Sequence, residues 1–245
     1  MATLRAFRAR EIMDEFQPVR WQVQILYSQS TVTFLFPVLA SAAICFLLWE
    51  ISPRPVLLGW GVLVMFYSTG RYALLWHYRS AGSARDDFES WHRLFALGVF
   101  MSGVLWGAAP IILIPYEPAH LVEFTLYNGL IMIIVSGLVA GAVTAYGVSI
   151  RVLLCFVVPA LLPPAMYLIH QGDKYNSALG GFVLLYFVFI VASSLRVHHL
   201  LMHFIRIEHD REFIQRELDE LRRRAAAAGG GVESPLLYQA HFPPG

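Results

Sequence analysis

The chain has little charge. Of 245 residues only 14% are Asp, Glu, Lys or Arg, against 57% apolar, where a soluble domain carries about 25% charge. That shortage excludes an ordinary water-soluble globule and points to an integral membrane protein. Cysteine is nearly absent. Cys45 and Cys155 both sit inside apolar runs, which excludes a disulfide framework and leaves two buried free thiols. Catalytic signatures are lacking too: there is no phosphate-binding glycine loop, no GxSxG and no CxxC, so no enzymatic activity is expected. The formal net charge of +1 gives no sign of a nucleic-acid partner, and none is expected. Residues 1–30 lack the continuous apolar core and small-residue cleavage site of a signal peptide. The first long apolar run is therefore expected to stay as an anchor.

What is present is a series of such runs. A bilayer core needs roughly 20 apolar residues as helix. Six segments reach or approach that length: Thr31–Trp49, Val56–Tyr78, Leu94–Ile114, Leu121–Tyr146, Val152–Ile169 and Ala178–Leu195. Runs of this length satisfy their backbone in lipid as helices. The expected fold is an all-α integral membrane protein, a six-helix transmembrane bundle over residues 31–195. Six spans put both termini on one side. With the N-terminus inside, the inner segments hold 15 of the 18 basic residues; the outer loops hold Arg54 and Lys174, and Arg71 lies within the second span. The positive-inside rule then places both termini in the cytoplasm. The outer loops, "EISPRP", "PYEPAH" and "HQGDKYNS", are too short for a separate ligand-binding domain, so any ligand is taken up by the bundle itself. In residues 1–30, Phe7, Ile12, Phe16, Val19 and Val23 recur at helix-like intervals, which suits an amphipathic helix on the inner surface.

Gly103 and Gly107 in the third span, and Gly137 and Gly141 in the fourth, each form a GxxxG step. Small residues four apart let helix backbones approach closely, within one bundle or between two copies. The fifth span contains Pro159, Pro163 and Pro164. Each removes a backbone donor and obstructs the preceding turn, which predicts a kink or an unwound section, as a static bend or beside a ligand. A pocket is expected within spans three to five near Trp106, Pro159, Pro163 and Pro164, with Arg71 and Asn128 as further candidates. Arg71 sits roughly 10 Å from the inner end of its span at 1.5 Å per residue. An intramembrane charge marks a functional site by default. It either snorkels to the interface or forms a polar hub, with Tyr67, Asn128 and Thr144 as partners by type. Five histidines, His77, His92, His198, His199 and His203, fall at the inner ends of spans two, three and six. Converging histidines suit a haem or a metal ion, and histidine is also ordinary at a membrane boundary. His120 and His170 lie at the outer ends, where Glu50, Glu117, Glu123 and Asp173 also gather. These carboxylates either line the way in for a ligand or are simply solvated.

Past the sixth span, Val197, Leu200, Phe204, Ile207, Ile214, Leu218, Leu221 and Ala225 keep a 3-4 spacing, with Arg211 at the one skipped core position. This spacing predicts a parallel two-stranded coiled coil over residues 196–228, and with it a homodimer. "AAAAGGG" reads as a flexible joint, and 229–245 as a flexible tail.

"WHRLFALGVFMSGVLWGAAPIILIP", "GLVAGAVTAYGVSIRVLLCFVVPALLPPAMYLI" and the exit helix with "IEHDREFIQRELDELRRR" together resemble a membrane input module of the MASE-like class. Such modules stand at the N-terminus of bacterial GGDEF diguanylate cyclases and hybrid histidine kinases. The similarity covers about residues 10–224 and rests on Trp106 and Gly107, the small residues around Gly137 and Gly141, and the proline-rich fifth span. It implies that the coiled coil joins a six-span sensor in the bacterial inner membrane to a dimeric cytoplasmic output. No GGDEF loop, phospho-accepting histidine region or ATP-binding segment follows Arg224, so the output is expected either to have been cut away or to be a separate partner protein. Two functions are thus carried forward. One is a sensory input domain with the lipid bilayer, a second copy and an output domain as partners. The alternative is a haem- or metal-binding membrane protein built on the inner histidines. A transporter or channel is disfavoured, because neither paired intramembrane carboxylates nor a repeated three-span pattern is present.

Overall fold

A computed structural model describes residues 18–28, 32–80, 87–115 and 120–228. Every regular element among them is a helix: α1 (Pro18–Tyr27), α2 (Val32–Leu47), α3 (Arg54–Ser80), α4 (Phe88–Ile112), α5 (Leu121–Tyr146), α6 (Ile150–His170) and α7 (Lys174–Ala228). Pro18 opens α1, where its missing N–H is one that the helix leaves unpaired anyway. Asp87 caps α4, its Oδ1 accepting from the Ser90 N–H at 3.2 Å. Asp173 treats the start of α7 likewise, accepting from the N–H groups of Tyr175 at 3.0 Å and Asn176 at 2.9 Å. Gly172, just before it, holds φ 75°, which glycine adopts without the Cβ penalty.

Helices α4, α5, α6 and the stretch Lys174–Leu201 of α7 are each long and apolar enough to cross a bilayer. Helix α2 offers a shorter apolar stretch, Leu35–Leu47. Helix α3, with 27 residues, has the length but carries Arg71 in its second half and is not among those four. Contacts between side chains define two ends of the bundle. At one, Tyr78, Trp91, Tyr146 and Ser149 come together; this is called the Tyr146 end. At the other, the Ser52 hydroxyl donates to the Leu113 carbonyl, and Glu50, Ile114 and His120 line one cavity; this is called the His120 end.

The most extensive pairing is α4 with α6, and two glycines explain it. A Cβ on Gly103 would stand 2.5 Å from the Phe156 carbonyl oxygen, and one on Gly107 only 2.0 Å from that of Pro159. The Pro159 carbonyl has no helical donor, because residue 163 is proline. The Gly107 Cα–H supplies a weak partner instead. The prolines therefore do not unwind α6, which stays helical from Ile150 to His170. Gly137 and Gly141 behave differently: both lie on an exposed face of α5 with nothing within 4 Å of an added Cβ. The same motif thus closes a seam in α4 and leaves one open in α5.

Of the expected N-terminal amphipathic segment, Phe7, Ile12 and Phe16 lie outside the described residues, as does the tail 229–245. The part described, α1, packs on α4, and its Val23, Leu26 and Tyr27 are fully buried. The chain divides into two compact units, Met1–His199 and Leu200–Gly245. In the second, Leu200, Leu201, Ile214, Leu218 and Leu221 are exposed. The side chains of Phe204, Ile207 and Arg211 lie outside the described residues.

Candidate functional site

Arg71 is half-buried in α3. Its Nη1 donates to the Tyr146 hydroxyl at 2.9 Å, and its guanidinium lies over the rings of Phe95 at 5.2 Å and Tyr146 at 5.7 Å. The cation is held by a phenol oxygen and by the negative faces of two rings, an arrangement that gains strength where water is scarce. Aromatic contact continues outward on both sides. Tyr146 meets Phe156 at 6.4 Å; Phe95 meets Tyr27 at 5.1 Å; Tyr27 stacks on Tyr78 at 4.1 Å and stands edge-on to Trp91 at 5.8 Å. The Tyr27 hydroxyl donates to the Trp91 carbonyl at 3.1 Å. One arginine and its rings thereby tie α1, α3, α4, α5 and α6 at the Tyr146 end. Of the partners expected by residue type, Thr144 bonds its own helix at the Gly141 carbonyl and Asn128 donates to the Phe124 carbonyl at 3.0 Å. Tyr146 was missed. As the last residue of an apolar run it lies by sequence about 10 Å nearer the inner end than Arg71, so depth alone gave no cue.

Where a ligand pocket is expected, near Trp106 and the prolines, the described side chains are closely packed. Trp106 is 1% exposed and stands edge-on to Trp60 at 5.4 Å, and the Trp60 Nε1–H donates to the Leu105 carbonyl at 3.1 Å. Pro159 lies against Gly103 and Gly107, Pro164 is buried, and Pro163 is exposed. Asn128 is fully buried within α5. Arg71 pairs with Tyr146, Trp106 with Trp60 and Pro159 lies against Gly103. A cavity of about 250 Å³ does open at the His120 end. Glu50 and Ile51 of the α2–α3 turn, Ile114 and Pro115 after α4, and His120, Glu123, Phe124 and Tyr127 at the start of α5 line it. His120 Nδ1 lies 3.5 Å from Glu123 Oε2. Two of the carboxylates noted on that side thus meet at the cavity; Asp173 instead caps α7, and Glu117 lies outside the described residues.

The five histidines do not converge as a haem or metal site requires. His77 faces Trp91 at 5.9 Å, His92 Nε2 lies 3.1 Å from the Ser149 hydroxyl, and His198 Nδ1 lies 3.1 Å from the Gly147 carbonyl. His199 is next to His198, with ring centroids 6.2 Å apart, and His203 is exposed. Among the described residues no group of three or more His, Cys, Asp or Glu is placed to hold a metal ion. Instead, His92 from α4 and His198 from α7 grip the short Gly147–Ser149 turn between α5 and α6 from two sides. A second polar junction was also missed at sequence level. The Thr125 hydroxyl donates to Asn176 Oδ1 at 3.0 Å, and Asn176, itself fully buried, donates to Asp173. Comparison with known protein families, with curated proteins and with solved structures finds no match.

Proposed function

We propose that the chain is a membrane sensory input module of the MASE-like kind. In this reading it crosses the bacterial inner membrane six times, with both termini in the cytoplasm. It takes its signal from the outer side or from the lipid and passes it through the C-terminal helix to a cytoplasmic output, a diguanylate cyclase or a histidine kinase. The observation that carries the reading is α7. It holds a membrane-length apolar stretch, Lys174–Leu201, and further on exposes Ile214, Leu218 and Leu221 at 3-4 spacing between charged neighbours. An apolar stripe of that period is built to meet a second helix. A homodimer supplies one, and the open small-residue face at Gly137 and Gly141 gives the two copies a second place to meet.

The test fuses residues 1–224 to a dimer-dependent cyclase or kinase reporter. Deleting seven residues from the rod keeps its stripe on one face and is expected to preserve regulation. Deleting two turns the output by about 200° and is expected to lock or abolish it. Deletions that all behave alike would reduce the rod to a tether.

A further inference from the structure

Helix α7 is held unlike its neighbours. Its membrane-length stretch is 22% buried, against 50%, 39% and 56% for those of α4, α5 and α6. Among the described residues it forms no extended close pairing with another helix. Three polar rungs tie it to α5 or to the turn that ends α5. Near the start, Thr125 donates to Asn176 at 3.0 Å; midway, the Tyr186 hydroxyl donates to the Ser136 carbonyl at 2.7 Å; at the far end, His198 Nδ1–H meets the Gly147 carbonyl at 3.1 Å. On the α5 side the rungs fall at residues 125, 136 and 147. That spacing is about three helical turns, so all three face one way, roughly 16 Å apart. The order of the pairs makes α5 and α7 parallel, with rungs at the two ends and the middle of a bilayer-length stretch.

The rungs are not equal. At the His120 end the first is reinforced. Asn176 is fully buried and braced by Asp173, and one turn on, Gly180 admits α6 so closely that a Cβ would stand 2.7 Å from Ile169 and 2.8 Å from the Ala165 carbonyl. Toward the Tyr146 end Val183, Ile190 and Ser194 are buried while Leu185, Val188, Phe189 and Leu195 are exposed, and each remaining rung is one hydrogen bond. An apolar face loses little by exchanging protein for lipid, so close packing and hydrogen bonds decide where such a helix stays. The Gly147 carbonyl ends α5 and is one of the groups a helix leaves unpaired, so His198 has an acceptor ready to take and to release.

We infer that α7 is a swinging helix, pivoted at Asn176 and Gly180 and latched at its other end by His198 on the Gly147 carbonyl, with Tyr186 as a mid-helix catch. Opening the latch moves the end that leads toward the C-terminal rod while the pivot stays in place. Over the roughly 22 Å from Gly180 to Leu195, a swing of about 12° displaces the helix by about 5 Å. The inference deepens the proposed function by naming the moving part, and it rests on that reading only for the purpose of the motion.

The experiment uses the full chain in lipid nanodiscs with Cys45→Ala and Cys155→Ala. Spin labels go on one exposed pair near each end, Leu126 with Phe182 and Thr144 with Leu195, and labelled protein is diluted with unlabelled so that distances within one copy dominate. His198→Ala is expected to lengthen and broaden the Thr144–Leu195 distance by about 5 Å and to leave Leu126–Phe182 unchanged. Tyr186→Phe, which keeps the ring, is expected to widen the same distribution further. His198→Gln, which retains a donor, is expected to restore part of the wild-type distance. An unchanged Thr144–Leu195 distance in His198→Ala would overturn the latch. Equal lengthening of both pairs would overturn the pivot. Because the readout is a distance, a reporter fusion that fails to be regulated while the far pair responds removes the sensory reading and keeps the latch.

Discussion

Gly107→Ala tests the central seam. The added methyl would stand 2.0 Å from the Pro159 carbonyl oxygen, 3.0 Å from its carbon and 3.1 Å from the Ala160 Cα. All three are backbone atoms, so no side chain can rotate away. A carbon and an oxygen rest at about 3.3 Å, so α4 and α6 must part locally by roughly 1 Å. A gap of that size forfeits a quarter to a half of each dispersion contact along the seam, and overpacking of this kind costs about 1–3 kcal/mol before those losses are added. The expected loss is therefore about 3 kcal/mol or more, a shift of over a hundredfold in the unfolding equilibrium. Gly141→Ala is the control: nothing lies within 4 Å of its new Cβ, and alanine favours helix over glycine by about 1 kcal/mol. It is expected to be neutral or mildly stabilising within one copy. The assay is thermal unfolding in mild detergent, followed by tryptophan fluorescence, since Trp106 and Trp60 adjoin the seam, and by thiol labelling of Cys155 in α6. If Gly107→Ala melts with the wild type while Gly141→Ala falls, the assignment of the two glycine pairs is wrong.

Tyr146→Phe keeps the ring beneath Arg71 and removes the 2.9 Å hydrogen bond. It is expected to cost about 1–2 kcal/mol, and Arg71→Lys to cost more, because the planar fork over Phe95 is lost too; urea or thermal titration in detergent orders the two. At the start of α4, the Ser90 hydroxyl and the Ser90 N–H hold the Asp87 carboxyl below its usual 3.8. A depressed value contributes stability above the unfolded-state value and loses it as pH falls through the folded one, so wild type is expected to lose a stability advantage over Asp87→Ala below about pH 4, read from paired melting curves. Thr125→Val leaves Asn176 Oδ1 buried without its donor and is expected to destabilise the chain by about 1–2 kcal/mol, more than Thr144→Val, whose hydroxyl is exposed and bonds its own helix. In membranes, Leu218→Cys is expected to give a disulfide-linked dimer under mild oxidation and Asp219→Cys much less, as gel mobility will report; equal yields would remove the stripe as the meeting face.

The helices were legible because apolar runs end at turn residues and charges, and six helices stand where the six runs do. Four meet the length and hydropathy of a membrane span. What spacing could not supply was the partner. Gly103–Gly107 and Gly137–Gly141 share one motif, yet only the first meets a backbone, that of α6, whose Pro159 carbonyl Pro163 leaves free. Read alone, Pro163 predicts a break; beside Gly107 its lost donor is partly compensated, and the helix continues. Arg71 was visible as a lone charge in an apolar run, but its partner Tyr146 lies 75 residues away, and nothing local links them. The rungs of α7 escaped notice for the same reason. Thr125, Tyr186 and Gly147 are unexceptional residues in sequence, and two of the three bonds use a backbone carbonyl that no side-chain pattern reveals.

Lipid removes the general attraction between apolar helices, so each contact must be secured by close approach or by a hydrogen bond. The chain distributes these two means unevenly. Backbone contact is concentrated on α4 and α6, where glycine meets carbonyl, and the arginine-centred rings bind α1, α3, α4, α5 and α6 at one end. Helix α7 receives one close backbone approach, at Gly180, and beyond it the buried side chains of Val183, Ile190 and Ser194 with two single hydrogen bonds. A perturbation at the cavity of the His120 end acts on Glu123, Phe124 and Tyr127 of α5, and Thr125, on that same turn, holds Asn176 of α7. A physical route from that cavity therefore leads to α7, the least buried of the four membrane-length helices, at the end where it is best anchored. Displacement at a pivot is amplified along a rigid helix, whereas within the α4–α6 seam the same displacement would be resisted by backbone on both sides. The proposed swing of α7 beside the fixed α4–α6 seam would supply the two-state element that coupling between distant sites requires.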